Sequence, residues 1–236
     1  MKLFKHIFFL GFNFIVICSI AQNYLLNEDF STASGSTPPN DWANINTIGV
    51  ASDIWRFDDP GTRTPGFPML GKFAIFDSEN YSLSNGAEEA QLESKLIDCS
   101  GSANVLLLFD HYFPATSGTA TATVEVYNGT SWNTAVVFND STNGVEEHLV
   151  NISQWTAGIS NAKVRFIWSG NGNSFWAVDN VKVLVPLSMD AMLSEIESPQ
   201  QPFSEGSQNV LVKMTNFGGT TITSATIKFS LDGALQ

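Results

Sequence analysis

Along most of this chain, apolar and polar positions alternate with a period of two or gather in short apolar runs, and amphipathic helical periods are few. The pattern predicts strands near 24–30, 54–57, 72–77, 90–97, 103–113, 120–127, 131–138, 146–152, 162–169 and 175–185. Thr121-Ala122-Thr123-Val124-Glu125-Val126-Tyr127 alternates cleanly, and Asn128-Gly129 then supplies a tight turn before Ser131-Trp132. Val105 to Phe109 is continuously apolar, which predicts a central strand covered on both faces. Val164, Phe166 and Trp168 share one face of another strand, with Lys163 and Arg165 on the other. About 160 residues in roughly ten strands is the size of one sandwich with a single core.

Pro186 ends this block. Ser188 to Gln201 is more polar, and Met189 to Ile196 reads as a short helical turn. Val210-Leu211-Val212-Lys213-Met214-Thr215-Asn216 and Thr226-Ile227-Lys228-Phe229-Ser230 read as two strands, with Asn216-Phe217-Gly218-Gly219 turning between them. This is the expected start of an immunoglobulin-like domain, which needs about 80 to 100 residues. Only about 50 remain, so the chain is read as a fragment of a longer protein. The expectation is therefore all-β: a jelly-roll β-sandwich over 22–186, then a truncated immunoglobulin-like β-sandwich over 187–236.

The amino terminus predicts export. Lys2 and Lys5 form a basic start, Phe8 to Ile17 is mostly apolar, and Ser19-Ile20-Ala21 offers small residues for cleavage before Gln22. The apolar run is too short for a membrane span, and no second run is long enough. Val16-Ile17 ahead of Cys18 argues against a lipid anchor there. Without residues 1–21 the chain keeps 9 basic against 23 acidic residues, a net charge of −14. So acidic a chain repels phosphate backbones, which excludes a nucleic-acid partner, and suits a calcium-containing exterior. Cys99 is then the single cysteine, so no internal disulfide can form; it reads as a small buried residue.

Acidic residues inside apolar strands are the main chemical signal. Asp179 interrupts Phe175 to Leu184, and Glu28 and Asp29 end the first strand. Such charges are costly unless compensated, and a cation fastening the first strand to the last would compensate them. Asp53, Asp58 and Asp59 around Pro60-Gly61 read as a solvated turn rather than a second metal site. Catalysis finds little support. His111 and His148 are the histidines left after cleavage, no HExxH, CxxC, GxSxG or phosphate loop occurs, and Glu125 stands without a paired carboxylate. Six tryptophans make sugar stacking a candidate, with Trp132 and Trp155 expected to be exposed and Trp42, Trp168 and Trp176 buried. Asn171-Gly172-Asn173-Ser174 could border a binding cleft or be a plain turn.

The order of motifs resembles a known family. Glu28-Asp29-Phe30, Pro38-Pro39-Asn40-Asp41-Trp42 and Trp55-Arg56-Phe57 come early. Phe73-Ala74-Ile75-Phe76-Asp77 and Gln91 to Asp98 follow, then Leu107-Leu108-Phe109-Asp110-His111-Tyr112 and Trp176-Ala177-Val178-Asp179-Asn180-Val181. This series is similar to the choice-of-anchor J and cleaved-adhesin domains of Bacteroidetes surface proteins, MAM-like jelly rolls, over about residues 24 to 185. The resemblance implies a secreted, calcium-bearing adhesion module. Its calcium ligands would be Glu28 or Asp29, Asp77 and Asp179, with Asn180 where many members carry a second acid. The function expected is a non-catalytic, calcium-stabilised extracellular module for a glycan or protein ligand. The alternatives are a carbohydrate-binding accessory module or the amino-terminal, non-catalytic part of a secreted peptidase.

Overall fold

The computed structural model of the chain describes residues 23–81, 86–115, 120–171, 174–199, 207–228, 230–231 and 234–235. The leader read in 1–21 and its cleavage point at Gln22 lie outside the described residues, as do Gly172, Asn173 and Phe229. The chain divides into two compact units, Gln22–Leu187 and a second that contains Ser188–Gln236.

The first unit is a sandwich of two antiparallel five-stranded sheets, the jelly-roll architecture expected. One sheet holds β1 (Asn23–Glu28), β3 (Ala74–Asp77), β5 (Leu106–Tyr112), β8 (Glu146–Asn151) and β10 (Phe175–Val185), in the order β1-β10-β5-β8. The other runs β2 (Ala43–Ile48), β4 (Glu88–Glu93), β9 (Lys163–Gly170), β6 (Ala120–Tyr127) and β7 (Trp132–Phe138). The single helix among the described residues of this unit, α1, is one turn, Ser153–Thr156.

Alternation places the core. On β6, Ala120, Ala122, Val124 and Val126 are buried and Thr121, Thr123, Glu125 and Tyr127 stand half out. On β9, Val164, Phe166 and Trp168 are fully buried while Lys163 and Arg165 lie on the opposite face. Between the sheets Trp55 packs on Trp176 with centroids 5.5 Å apart, and Phe76 stacks on Trp168 at 5.5 Å. Trp42, Trp168 and Trp176 are buried as expected, and β5 is central between β10 and β8. Cys99 is fully buried, and burial pushes its thiol up to about 11, so it is an inert packing residue.

β10 is the long member of its sheet and carries two different neighbours on one edge. β1 pairs with its second half, from Glu28↔Val181 to Asn23↔Val185. β3 pairs with its first half, from Ala74↔Val178 to Asp77↔Phe175. At the changeover Asn180 adopts φ +51°, and the β10–β5 register slips between Asp179 and Lys182. This bulge flips the alternation, so Trp176 and Val178 before it and Val181 and Val183 after it all reach one core. On the outer side of β3 and early β10, Met69, Phe73, Ile75, Phe175 and Ala177 form a smaller cluster under the 58–73 loop.

Four expectations are corrected. Residues 54–57 are not a strand: Arg56 makes one bridge, exchanging backbone hydrogen bonds of 2.7 and 2.8 Å with Ile75. Beside them β2 is a strand the pattern did not suggest, because its sequence Ala43-Asn44-Ile45-Asn46-Thr47-Ile48 carries strand-disfavoured asparagines. Those side chains hold the edge: Asn44 donates to the Trp55 carbonyl at 2.7 Å and accepts from its amide at 3.1 Å, and Asn46 donates to the Asp53 carbonyl at 2.9 Å. Third, Met189 to Ile196 is not helical. In the second unit β11 (Ala191–Ser198) pairs antiparallel with β12 (Leu211–Asn216), from Ala191↔Asn216 to Ser198↔Leu211. Cross-strand pairing overrides a local helical preference in so short a segment. Thr226 to Lys228 are described without strand structure; β13 (Ser230–Leu231) pairs instead with β14 (Ala234–Leu235).

Candidate recognition surface and acidic junction

The changeover on β10 gathers acidic residues. Asp179 and Asp110 oppose each other in the β10–β5 ladder and are 3 % and 5 % exposed. Asn180 donates from Nδ2 to Asp110 Oδ2 at 2.7 Å, and its backbone amide donates to Asp179 Oδ1 at 2.7 Å. Burial, then the charges of Asp110 and Asp29, push Asp179 up to about 7 against the relief of its amide hydrogen bond and Lys182. Glu28 and Asp29, at the end of β1, accept backbone amides locally: Phe30 at 2.8 Å and Ser31 at 3.0 Å.

Asp77 lies elsewhere. It pairs with Phe175, four residues from Asp179 along β10, or ~13 Å at the rise of an extended strand. Arg63 grips it with two hydrogen bonds of 2.8 and 3.0 Å, and the Asn80 amide adds a third at 3.1 Å. A guanidinium therefore already neutralises this buried carboxylate. Of the five residues expected at one calcium centre, Asp179 and Asn180 share the junction, Glu28 pairs with Val181 next to it, exposed Asp29 reaches Asp179 only through its charge, and Asp77 does not join them. Among the described residues no group of three or more His, Cys, Asp or Glu side chains is arranged to hold a metal ion. The resemblance pointed to Asp77, and the signal that could have corrected it is the arginine fourteen residues before it.

The outer face of the β2-β4-β9-β6-β7 sheet carries a second arrangement. Arg165 on β9 donates from Nε to Glu125 Oε2 on β6 at 2.8 Å and from a terminal nitrogen to Gln91 Oε1 on β4 at 2.7 Å. Its guanidinium carbon sits 4.1 Å from the centre of the Trp132 ring on β7, and Trp132 packs against Tyr127 at 5.3 Å. Thr134 donates to Glu125 at 3.3 Å, and Lys163 pairs with Glu93 in the next row. On β4, β9 and β6 the sequence marks this row by alternation, since Gln91, Arg165 and Glu125 each stand between buried neighbours, whereas β7, which carries Trp132, has no buried residue.

Trp132 is half-exposed on this face. Trp155 is not part of it: it sits in α1 and packs against the main core. The turn before Trp132 also differs from the expected two-residue form. Tyr127 pairs with Trp132, Gly129 takes φ +89°, and Asn128 acts through its side chain, accepting from the Thr130 and Ser131 amides at 3.0 and 2.9 Å. His111 is buried between Phe109 and Phe138, its Nδ1 without a hydrogen-bond partner, and burial then His148 pull it down to about 4.

No protein-family model and no curated protein matches the chain. Solved structures do. A family 61 carbohydrate-binding module in complex with β-1,4-galactotriose is 11 % identical, covers 69 % of this chain and 98 % of its own, and superposes with a TM-score of 0.48. The K3 and K2 cleaved-adhesin domains of Lys-gingipain, K3 being from Porphyromonas gingivalis W83, are 14 % and 11 % identical. They cover 68 % of this chain and 98 % of their own, with TM-scores of 0.48 and 0.49. Their ligands and roles are their own. No helix among the described residues is long and apolar enough to cross a membrane.

Proposed function

We propose that residues 23–187 form a non-catalytic extracellular recognition module that binds a glycan across the outer face of the β2-β4-β9-β6-β7 sheet. The observation that carries this reading is the row Gln91–Arg165–Glu125–Trp132. It runs across four adjacent strands, ~14 Å at ordinary strand spacing. The row combines fixed hydrogen-bond donors and acceptors with two aromatic rings. Arg165 holds Glu125 and Gln91 in place, and their remaining lone pairs can accept sugar hydroxyls. Trp132 and Tyr127 offer apolar surface to the C–H faces of sugar rings.

The same contacts favour binding over hydrolysis. Glycoside cleavage uses two carboxylates, one with a raised pKa, flanking one bond. Here Glu125 is bridged to Arg165, and Glu93 to Lys163. The leader read in residues 1–21 supports an extracellular address. Calcium belongs to this proposal as a stabiliser beside the Asp110–Asp179 pair, where two buried carboxylates call for a counter-charge, and not at Asp77, which Arg63 already neutralises.

Glycan-array binding of the full chain, followed by affinity electrophoresis of Trp132→Ala and Arg165→Met, tests the reading. Retardation by at least one polysaccharide, weakened about tenfold or more by either change with an unchanged melt, is expected. A chain that no glycan retards, or whose retardation ignores both substitutions, overturns it.

A further inference from the structure

Away from the sheet face, the turn at Ser34-Gly35, the segment Phe57 to Asp59 and the segment Gly71 to Phe73 border a half-open cavity of about 230 Å³. Sites for drug-sized ligands span roughly 300–1,000 Å³, so this one suits a single small ring. Two aromatic residues that line it, Phe57 and Phe73, are 2 % and 6 % exposed. The walls are fixed by backbone contacts: the Phe57 amide donates to the Gly35 carbonyl at 2.8 Å. Lys72 ties the segments together by donating to the Ala33 carbonyl at 2.6 Å and the Ser31 carbonyl at 3.2 Å.

The charges around the cavity balance, although the chain as a whole is strongly acidic. Arg56 neutralises Asp58 with hydrogen bonds of 2.9 and 2.6 Å. Asp59 spends one oxygen on the Arg63 amide at 2.9 Å and shares the lining with Lys72. A cation would meet Lys72, and an anion would meet Asp58 and Asp59. A neutral ligand rich in hydroxyls can donate to the carboxylates and accept from the ammonium at once. Gly35 and Gly71 have φ of +57° and +107°, and a Cβ at either would meet nothing within 4 Å, so the ligand can approach the backbone closely. The loop that supplies Gly71 also raises Phe67 and Leu70, 81 % and 71 % exposed, while Met69 between them is buried in the satellite cluster. Leu70, next in the chain to the lining residue Gly71, offers exposed apolar surface to a sugar ring.

We infer that this cavity is a second sugar subsite, one that takes a single neutral sugar ring such as the end residue of a glycan chain. This rests on the glycan-recognition reading but uses none of the residues of the sheet face. Two such sites on one domain would let a branched or folded-back glycan bind bivalently, raising avidity without new contacts at either site.

The test is a ¹H–¹⁵N titration of the full chain with the methyl glycosides of galactose, glucose, mannose and xylose, added separately. At least one should shift the amides of Gly35, Asp59, Gly71 and Lys72, with a dissociation constant on the order of millimolar for so small a ligand. Ser34→Trp, placed at an exposed lining residue, should abolish these shifts, and the milder Asp59→Asn should weaken them severalfold. Trp132→Ala should leave them unchanged. If no glycoside moves these amides while polysaccharide binding still depends on Trp132, the cavity proposal falls and the sheet-face reading stands. If the cavity shifts appear and yield to Ser34→Trp while no polysaccharide responds to Trp132→Ala, the cavity stands and the sheet face falls. Shifts that survive both cavity substitutions overturn the cavity proposal.

Discussion

Asp110 and Asp179 face each other as a register pair in the β5–β10 ladder, both at least 95 % buried, and Asn180 is hydrogen-bonded to the two of them. Two carboxylates so placed cannot both ionise cheaply. The bulge that brings them together is the same one that keeps both halves of β10 facing the core.

That pairing sets a pH dependence. Asp179 is raised from an ordinary value of 3.8 to about 7 in the folded chain, chiefly by burial. The folded state therefore holds this proton more tightly than the unfolded one. Its stabilising share is complete below about pH 4 and is lost as pH rises through 7, with a ceiling of about 4 kcal/mol. In metal-free buffer, Asp179→Asn should raise the melting temperature at pH 8 by several degrees and change it little at pH 4. Equal shifts at both pH values would contradict this.

Calcium should substitute for the proton. A site with a dissociation constant of ~10⁻⁵ M, held at 100-fold excess ion, adds about 2.7 kcal/mol. Melts in millimolar calcium should therefore exceed those in EDTA by several degrees, and Asp179→Ala should erase the difference. Coincident melts of demonstrably metal-free protein would remove calcium from the proposal.

Arg63 and Asp77 form a different kind of pair, in which the carboxylate is fully buried and the arginine side chain 22 % exposed. Arg63→Ala strands a buried charge and should cost about 3 kcal/mol in denaturant unfolding, within the range for breaking a buried pair. The double change Arg63→Met with Asp77→Asn should recover most of that loss. A single substitution costing under about 1 kcal/mol would mean that water already reaches Asp77.

Trp132, on the sheet face, and Trp155, against the core, should behave differently on substitution. Trp155 packs on the core from α1, so Trp155→Ala should lower the melting temperature and leave glycan affinity intact. Affinity lost along with unchanged stability would return it to the recognition surface.

Much of the sandwich was legible because burial imposes a period of two. Val164-Arg165-Phe166-Ile167-Trp168 and the alternation of Thr121 to Tyr127 fix strand, face and register together. β2 was hidden because its pairing is aided by Asn44 and Asn46, whose partners lie on another segment and leave no trace in local pattern. The acidic junction was half legible. Asp179 within an apolar run announced a charge in need of company, but its company, Asp110, came from the neighbouring strand in the sheet. Asp77 carried the same mark, and its answer was Arg63, in a loop without periodicity. Arg165 and Trp132 were each visible, yet their meeting across β6 depended on sheet order, which no local window contains.

β10 joins the two ends of its own domain: Asn23 and Glu28 find their partners at Val185 and Val181, roughly 150 residues later in the chain. During synthesis the first strand has no partner until the last has emerged. The domain therefore has a high contact order and folds late, as one unit, rather than strand by strand. The first strand is thus secured last: residues 23–28 can join their sheet only once the chain is made through Val185, so both ends of the domain must be present together before this edge closes.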